Sequence, residues 1–447
     1  MSTLYDEAKD ALDALAAANQ RFAHDYPGDR PDRQPIHTVY GGAHLFKADT
    51  TKKLGELAVR ALDTYAKDGP ALTRALGLTA SDDFANTIHR RVRKKLETEA
   101  VEDFRIDFED GYGNRPEAEE DATAVGAATE LARGMKAGTL PPFIGVRVKP
   151  LNDELKRRSV RTLDLFISTL VKEAGGLPDG FVVTLPKVPI PEQVTTLVRL
   201  LERLEKRTGL APGSLQIELM VELTQSLLDR EGRSTLPLLH HAAEGRLRSA
   251  HFGTYDYTAS CNITAAYQAI THPACDFALH LMKVAFANTG VWLSDGATTV
   301  MPIAPHRAAK GETLSEAQLR DNERSVHAAW KLAGDNIRHA LENGFYQGWD
   351  LHPAQLPVRY AATYAFFLEG FDAAANRLKN FIDKAAQATL VGDMFDDAAT
   401  GQGLINYFLR GLSSGAVSLD ELGSTGLTHD EIATRSFVKI LAGRSRR

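Results

Sequence analysis

The residues with the most chemistry to offer are charged groups that close short apolar runs. Asp107, Glu109 and Asp110 end the run Arg105-Ile106-Asp107-Phe108-Glu109-Asp110, and Arg147 lies near the end of Phe143-Ile144-Gly145-Val146-Arg147-Val148-Lys149. Lys187 closes Phe181-Val182-Val183-Thr184-Leu185-Pro186-Lys187, Glu222 closes Leu219-Met220-Val221-Glu222, and Asp256 closes His251-Phe252-Gly253-Thr254-Tyr255-Asp256. A lone charge after buried apolar residues needs a partner, a metal or solvent. Glu222 and Asp256 on adjacent strands would form a sparse oxygen site with positions left for water and substrate, the usual way a protein holds Mg²⁺, with Mn²⁺ as a substitute. The alternative is a pair of structural ion pairs. Arg147 offers a planar fork that binds a carboxylate or stabilises an enolate oxygen, or else pairs with Asp107 or Asp110. Asp107, Glu109 and Asp110 would support the metal site from outside, and Lys187 is either a rim ion pair or a Schiff-base lysine.

Side chains so far apart in sequence meet only if their strands end together. Residues 2–24 predict a leading helix, a Pro/Asp-rich link follows over 26–35, and 36–40 predicts a first strand closed by Gly41-Gly42. Helices are then expected at 51–66, 82–99, 115–137, 152–174, 191–208, 224–243, 261–289 and 314–344. Between them the β-prone runs end near Thr38, Asp110, Lys149, Lys187, Glu222, Asp256, Pro302 and Pro353, which makes eight βα units. Apolar runs separated by amphipathic stretches of helix length indicate parallel strands with helical crossovers, and eight such units close a TIM barrel with its active site at the C-terminal strand ends. A doubly wound open sheet is the competing arrangement, but neither a GxGxxG turn nor a P-loop is present. The fold class is therefore read as α/β: a (β/α)8 TIM barrel over 36–355 that carries the metal site, an N-terminal helical extension over 1–35, and a C-terminal helical cap over 356–447.

The chain has 447 residues, 43% of them hydrophobic and 25% charged, enough for one large core with appended helices. A net charge of −6 and a pI near 6.2 give no electrostatic reason for nucleic acid or an anionic membrane as partner. No apolar stretch approaches the roughly 20 residues that span a bilayer, and the first residues carry mixed charge, so a cytoplasmic protein is expected. Its expected partners are a small-molecule substrate and further copies of itself. Cys261 and Cys275, taken to share one helix, would lie about 21 Å apart and remain reduced.

Taken in order, these segments resemble the superfamily of malate synthase, the citrate lyase β subunit and the malyl-CoA lyases. Asp107-Phe108-Glu109-Asp110 resembles its DxED strand, Val146-Arg147-Val148 its arginine strand, and Val183-Thr184-Leu185-Pro186-Lys187-Val188 its LPK segment. Met220-Val221-Glu222 is similar to the strand bearing the first metal glutamate, and Gly253-Thr254-Tyr255-Asp256-Tyr257 to the segment whose aspartate is the second ligand. Trp349-Asp350-Leu351-His352-Pro353 resembles the closing HP turn, and Met394-Phe395-Asp396-Asp397-Ala398-Ala399-Thr400 the malate synthase segment whose aspartate is the base. By itself Asp397 reads equally as a helix N-cap.

The resemblance implies a Mg²⁺-dependent carbon–carbon lyase or aldolase that cleaves or forms a 2-hydroxyacid, or its acyl-CoA thioester, through an enolate and a 2-oxoacid such as glyoxylate or pyruvate. Arg147 and Asp397 would be catalytic, Glu222 and Asp256 would hold the metal, and the main-chain N–H groups of Gly253, Thr254, Tyr255 and Asp256 would bind the oxoacid. Asp107, Glu109, Asp110, Lys187 and His352 would support them. The malate-synthase-like alternative condenses acetyl-CoA with glyoxylate. Lyase or aldolase chemistry ranks first because no segment reads as CoA-binding and the chain is compact; a non-catalytic binding barrel is the reading outside enzymology.

Overall fold

The computed structural model describes residues 4–383, 389–391, 394–396 and 398–444. Eight parallel strands form one sheet: β1 (His37–Gly42), β2 (Asp103–Asp107), β3 (Phe143–Arg147), β4 (Val182–Leu185), β5 (Gln216–Val221), β6 (Leu247–Phe252), β7 (Trp292–Ser294) and β8 (Gly348–Asp350). Each pairs with its sequence neighbour, and β8 pairs with β1. Between β7 and β8 the amide of Asp295 donates to the Gln347 carbonyl at 2.8 Å and that of Trp349 to Gly296 at 3.2 Å. These bonds close the sheet into the expected (β/α)8 barrel.

Alternation along each strand decides what enters the barrel. On β2, Asp103, Arg105 and Asp107 face inward while Phe104 and Ile106 are buried against the helices, where Phe104 meets Phe46 at 5.6 Å between ring centroids. On β5, Glu218 and Glu222 lie on the inner face, and Ile217, Leu219 and Val221 on the other. The barrel interior is consequently polar. Glu218, fully buried, accepts from Arg105 Nε at 2.9 Å and Nη2 at 2.6 Å, from Ser249 and Thr184 at 2.7 Å each, and lies 3.0 Å from His251 Nε2. Below the mouth, a charge network holds the strands together.

The helical layer follows from local signals. The helix Asp82–Glu99 starts where the Ser81 side chain accepts from the Phe84 amide. Glu117–Ala137 carries Glu117, Glu119 and Glu120 in its first turn and ends at Gly138, whose φ of 64° favours a residue without a side chain. On Lys156–Ala174, Phe166, Ile167 and Leu170 are fully buried, each contributing about 1.5–3 kcal/mol of hydrophobic stabilisation.

Four expectations need correction. The seventh strand is Trp292–Ser294, and the run ending at Pro302 is irregular. β6 stops at Phe252, so Asp256 sits in the first turn of the helix Thr254–Ser260. The helix expected over 224–243 is broken into Thr224–Leu227 and Leu236–Ala242 by a turn in which Gly232 adopts φ 77°. The helix expected over 261–289 is confined to Pro273–Ala285, so Cys275 lies in it while Cys261 only follows the helix Thr254–Ser260; both are free thiols and they share no helix.

The N-terminal helices Leu4–Glu7 and Lys9–Asp25 bury no residue. The C-terminal part contains Leu356–Glu369, Phe371–Asp383, an antiparallel pair Thr389–Val391 and Met394–Asp396, then Ala398–Ser413 and Phe437–Arg444. Arg410 donates to Gln34 at 2.7 Å and Arg435 to the Arg30 carbonyl at 2.6 Å, so these helices meet the barrel at the N-terminal ends of its strands. Among the described residues no helix is long and apolar enough to cross a membrane.

Replacing Glu218 with alanine leaves the buried Arg105 guanidinium with Asp103 as its one carboxylate partner among the described residues, beside weaker bonds to Thr184 and the Phe104 carbonyl. Chemical denaturation should show a loss of about 3–5 kcal/mol; a loss below about 1 kcal/mol would mean that the network does not hold the barrel. Asp295, at the end of β7 and 2% exposed, has its carboxyl pushed from 3.8 to about 7 by burial. The folded value lies above the unfolded one, so its contribution to stability is complete below the unfolded value and lost as pH rises through about 7. Asp295→Asn should therefore raise Tm at about pH 8 and change it little at about pH 4; equal effects at both would contradict the assignment.

Candidate active site

The C-terminal ends of β2 to β6 converge, and they bring most of the chemically able residues into one cluster. Asp107 ends β2 facing Arg147 at the end of β3, and the pair is bidentate: Arg147 Nε donates to Asp107 Oδ1 at 2.7 Å and Nη2 to Oδ2 at 2.6 Å. The same carboxylate accepts the amides of Glu109 at 2.9 Å and Gly111 at 2.8 Å, which folds the loop after β2 back over the mouth. A Cβ on Gly111 would stand 2.6 Å from Asp107 Oδ2, so this turn needs glycine.

Arg147 is 4% exposed, and its Nη1 lies 3.0 Å from Glu109 Oε2. The expected salt bridge is thus with Asp107 and Glu109 rather than Asp110. A guanidinium has five N–H donors, so Arg147 keeps capacity for a substrate oxygen. Tyr40, which drew no functional reading from the sequence, lies under it with the guanidinium carbon 4.8 Å from the ring centroid. The Tyr40 hydroxyl reaches His251 Nδ1 at 3.0 Å and Glu218 at 3.2 Å, tying the mouth to the interior network. Its place two residues beyond Thr38 on β1 was the available signal, because alternation turns both inward.

Lys187 holds the centre of the cluster, a larger part than the rim role expected of it. It adopts φ 52°, a left-handed conformation rare for a residue with a side chain. Its ammonium contacts Glu109, Asp110 at 3.3 Å and Asp256 at 3.3 Å, and its amide donates to Glu222 Oε1 at 2.7 Å. Burial works against its charge, but Glu222, Glu109 and Asp110 together raise its proton affinity above that of an ordinary lysine. A nucleophilic amine needs the opposite shift, so this setting favours the ion-pair reading of Lys187 over the Schiff-base one.

Glu222 is 1% exposed and accepts no bond from a cationic side chain in the described structure. Burial, reinforced by the neighbouring Glu109 and Asp256 and only partly offset by Lys187, pushes its carboxyl up to about 8. A Cβ on Gly253 would lie 2.5 Å from Glu222 Oε2, so glycine at the end of β6 makes the space for this carboxylate. Glu109 is raised as well, mainly by burial.

Other expected residues are placed elsewhere. The Gly253 amide donates to the Val221 carbonyl at 3.0 Å and is unavailable to an oxoacid. The side chains of Tyr255 and Thr254 are engaged, the Tyr255 hydroxyl donating to the Ala297 carbonyl at 3.1 Å and accepting from Thr299 and the Thr254 hydroxyl lying against Gly296, while their main-chain N–H groups open the helix Thr254–Ser260 beside Asp256. His352 accepts the Ala354 amide at 3.1 Å as the cap of a short helix over Pro353–Gln355, outside the cluster. Asp397 lies outside the described residues.

Asp107, Glu109, Asp110, Glu222 and Asp256 face Arg147 and Lys187: five carboxylates to two cations. No group of three or more His, Cys, Asp or Glu is arranged as a ready metal cage among the described residues. The donor set nevertheless fits a hard divalent cation held by two carboxylates, with water and substrate completing its shell. Such an ion at Glu222 and Asp256 would supply the positive charge that the cluster lacks.

The structure is similar to that of a citrate lyase from Burkholderia xenovorans LB400, with a TM-score of 0.57 and 17% identity over 89% of this chain and 100% of that one. Looser likenesses are to CitE from Mycobacterium tuberculosis in complex with magnesium, acetoacetate and coenzyme A (TM-score 0.48, 14% identity, 86% and 100% of the chains) and to Haloferax volcanii malate synthase in a magnesium/glyoxylate complex (0.44, 16%, 93% and 98%). At such identities the shared property is the fold. No curated protein matches the sequence. A family model described as a domain of unknown function, DUF6986, matches residues 15–440, and the chain belongs to that family.

Proposed function

We propose that the protein is a Mg²⁺-dependent enzyme that makes or breaks a carbon–carbon bond between a 2-oxoacid and an enolate, working as a lyase or aldolase of the citrate lyase β type. The observation that carries this reading is the charge imbalance at the mouth, where buried Glu222 accepts no bond from a cationic side chain among the described residues and shares the field of Lys187 with three other acids. Glu222 and Asp256 would hold the ion, which when bound supplies Lewis-acid polarisation of the oxoacid's carbonyl oxygen.

Arg147, fixed by Asp107 and stacked on Tyr40, offers its remaining N–H groups to an oxygen that gains charge as the bond breaks. The rigidity of that pair means the guanidinium need not reorganise during the reaction. In cleavage the 2-hydroxyacid gives up its hydroxyl proton, the carbon–carbon bond breaks with its electron pair passing to the enolate, and that carbon is reprotonated. Asp397 is assigned this last proton transfer, and its removal in the condensation direction, on the resemblance alone; because the helix Ala398–Ser413 that follows it meets the far end of its own barrel, the assignment calls for the C-terminal segment of a second copy at the mouth. The same segment favours the second reading, condensation of acetyl-CoA with glyoxylate.

Incubation with Mg²⁺ and a panel of 2-hydroxyacids and their CoA thioesters should release glyoxylate or pyruvate, and Glu222→Ala should abolish this. Turnover of acetyl-CoA and glyoxylate alone would select the second reading; no turnover and no metal binding would leave the barrel a binding module. Asp397→Asn should lose turnover while keeping metal affinity, and full activity in that variant would reduce Asp397 to a cap.

Lys187 competes with a metal ion for the same acids. Lys187→Met should therefore tighten Mn²⁺ binding by roughly tenfold, about 1.4 kcal/mol, in titration calorimetry. Unchanged or weaker binding would show that the lysine is no competitor.

A further inference from the structure

A second cavity lies at the opposite end of the barrel, where the C-terminal helices meet the N-terminal ends of the strands. It encloses about 690 Å³, the size of a small-molecule site. Arg30 and Lys283 line it from the barrel side, and Arg410, Arg435 and Lys439 from the C-terminal helices, against Asp29 as the only lining acid among the described residues; Asp32, 3.4 Å from Arg30, lies just outside the lining and is shared with Arg248. Five cations and one carboxylate leave four positive charges around one space, in a chain whose net charge is −6.

Like charges facing one another across a packed junction oppose its formation unless an anion lies between them. The fold holds them there regardless. Arg435 is fixed in a left-handed backbone conformation, φ 54°, with Nη1 donating to the Arg30 carbonyl at 2.6 Å. Arg410 is oriented by Gln34 at 2.7 Å and Asp29 at 3.1 Å, and its guanidinium carbon stands 5.0 Å from the Tyr346 ring centroid. Lys283 lies over Phe345 at 5.0 Å and donates to the Gly344 carbonyl. Burial and the nearby Arg410 push its amine down to about 8, and burial and Arg410 also lower the affinity of Arg435 for its proton. These cations are crowded, and a multiply charged anion is the counter-charge that would relieve them.

We propose that this cavity binds a phosphate-bearing small molecule, with Lys283, Arg410, Arg435 and Lys439 on the phosphates; the rings of Trp292 and Tyr346 in its wall are taken up by Arg248 and Arg410, which they help to hold in place. Arginine forks and lysine ammonium groups are the usual donors to phosphate oxygens. The volume fits a mononucleotide better than a bare ion, and the site is separate from the acidic mouth because its walls come from the other ends of the strands.

Titration calorimetry of the full chain with ADP, pyrophosphate and inorganic phosphate at low ionic strength tests this. ADP is expected to bind with a saturable isotherm that weakens with added salt; pyrophosphate binding as tightly would assign the affinity to the phosphates alone, and tight binding of inorganic phosphate would make a single phosphate sufficient. Lys283→Met should weaken binding at least tenfold, as should Lys439→Glu, whose side chain is exposed and whose replacement leaves the core untouched. Glu222→Ala, at the other end of the barrel, should bind ADP as the unaltered protein does. Absence of saturable binding for all three probes, or equal affinity in the Lys283 and Lys439 variants, would overturn the proposal.

Discussion

The mouth of this barrel is governed by a shortage of positive charge. Arg147 is committed to Asp107 and Glu109, and Lys187 alone serves Glu109, Asp110 and Asp256. Glu222 is left buried against the Lys187 amide. Uncompensated carboxylates in a water-poor space repel one another, so the cluster persists only because strand register, the Gly253 opening and the Asp107-anchored loop all press it together. Strain of that kind at one end of a barrel is characteristic of a site kept for a ligand rather than for stability.

What holds the strands against that repulsion lies directly beneath. Arg105, Asp103, Glu218, Ser249, Thr184 and His251 satisfy one another across four strands, and Tyr40 on β1 joins them to Arg147. Barrels of this type are commonly filled by branched apolar side chains. Here the filling is ionic, and it extends the polar face of each strand continuously from the interior to the mouth. The position of Arg147 is therefore set by interactions two layers deep.

The architecture was legible because each strand is an apolar run separated from the next by a helix-length segment. Where the strand is three residues long, at Trp292–Ser294, the pattern became too short to recognise and the prediction moved to the run ending at Pro302. The convergence of Asp107, Glu109, Arg147, Lys187, Glu222 and Asp256 was also readable from strand ends. Their pairing was not, since it depends on side-chain reach: Lys187 gained its central role through a left-handed backbone that no composition announces. His352 and Tyr255 are assigned to the site by their neighbours in sequence, whereas the His352 ring caps a local turn and the Tyr255 hydroxyl ties its helix to Ala297 and Thr299 after β7. The basic cavity was invisible because its cations come from positions 30, 283, 410, 435 and 439, which only the docking of the C-terminal helices brings together.

The account stands on a divalent cation taking up the excess negative charge at the mouth. Crystals grown with Mn²⁺ and measured for anomalous scattering test this most directly. A peak is predicted at metal–oxygen bonding distance, roughly 2.0–2.2 Å, from both Glu222 and Asp256, with the Lys187 ammonium moved off Asp256. An ordered mouth with no peak there, and Lys187 still bridging Glu109, Asp110 and Asp256, would contradict it.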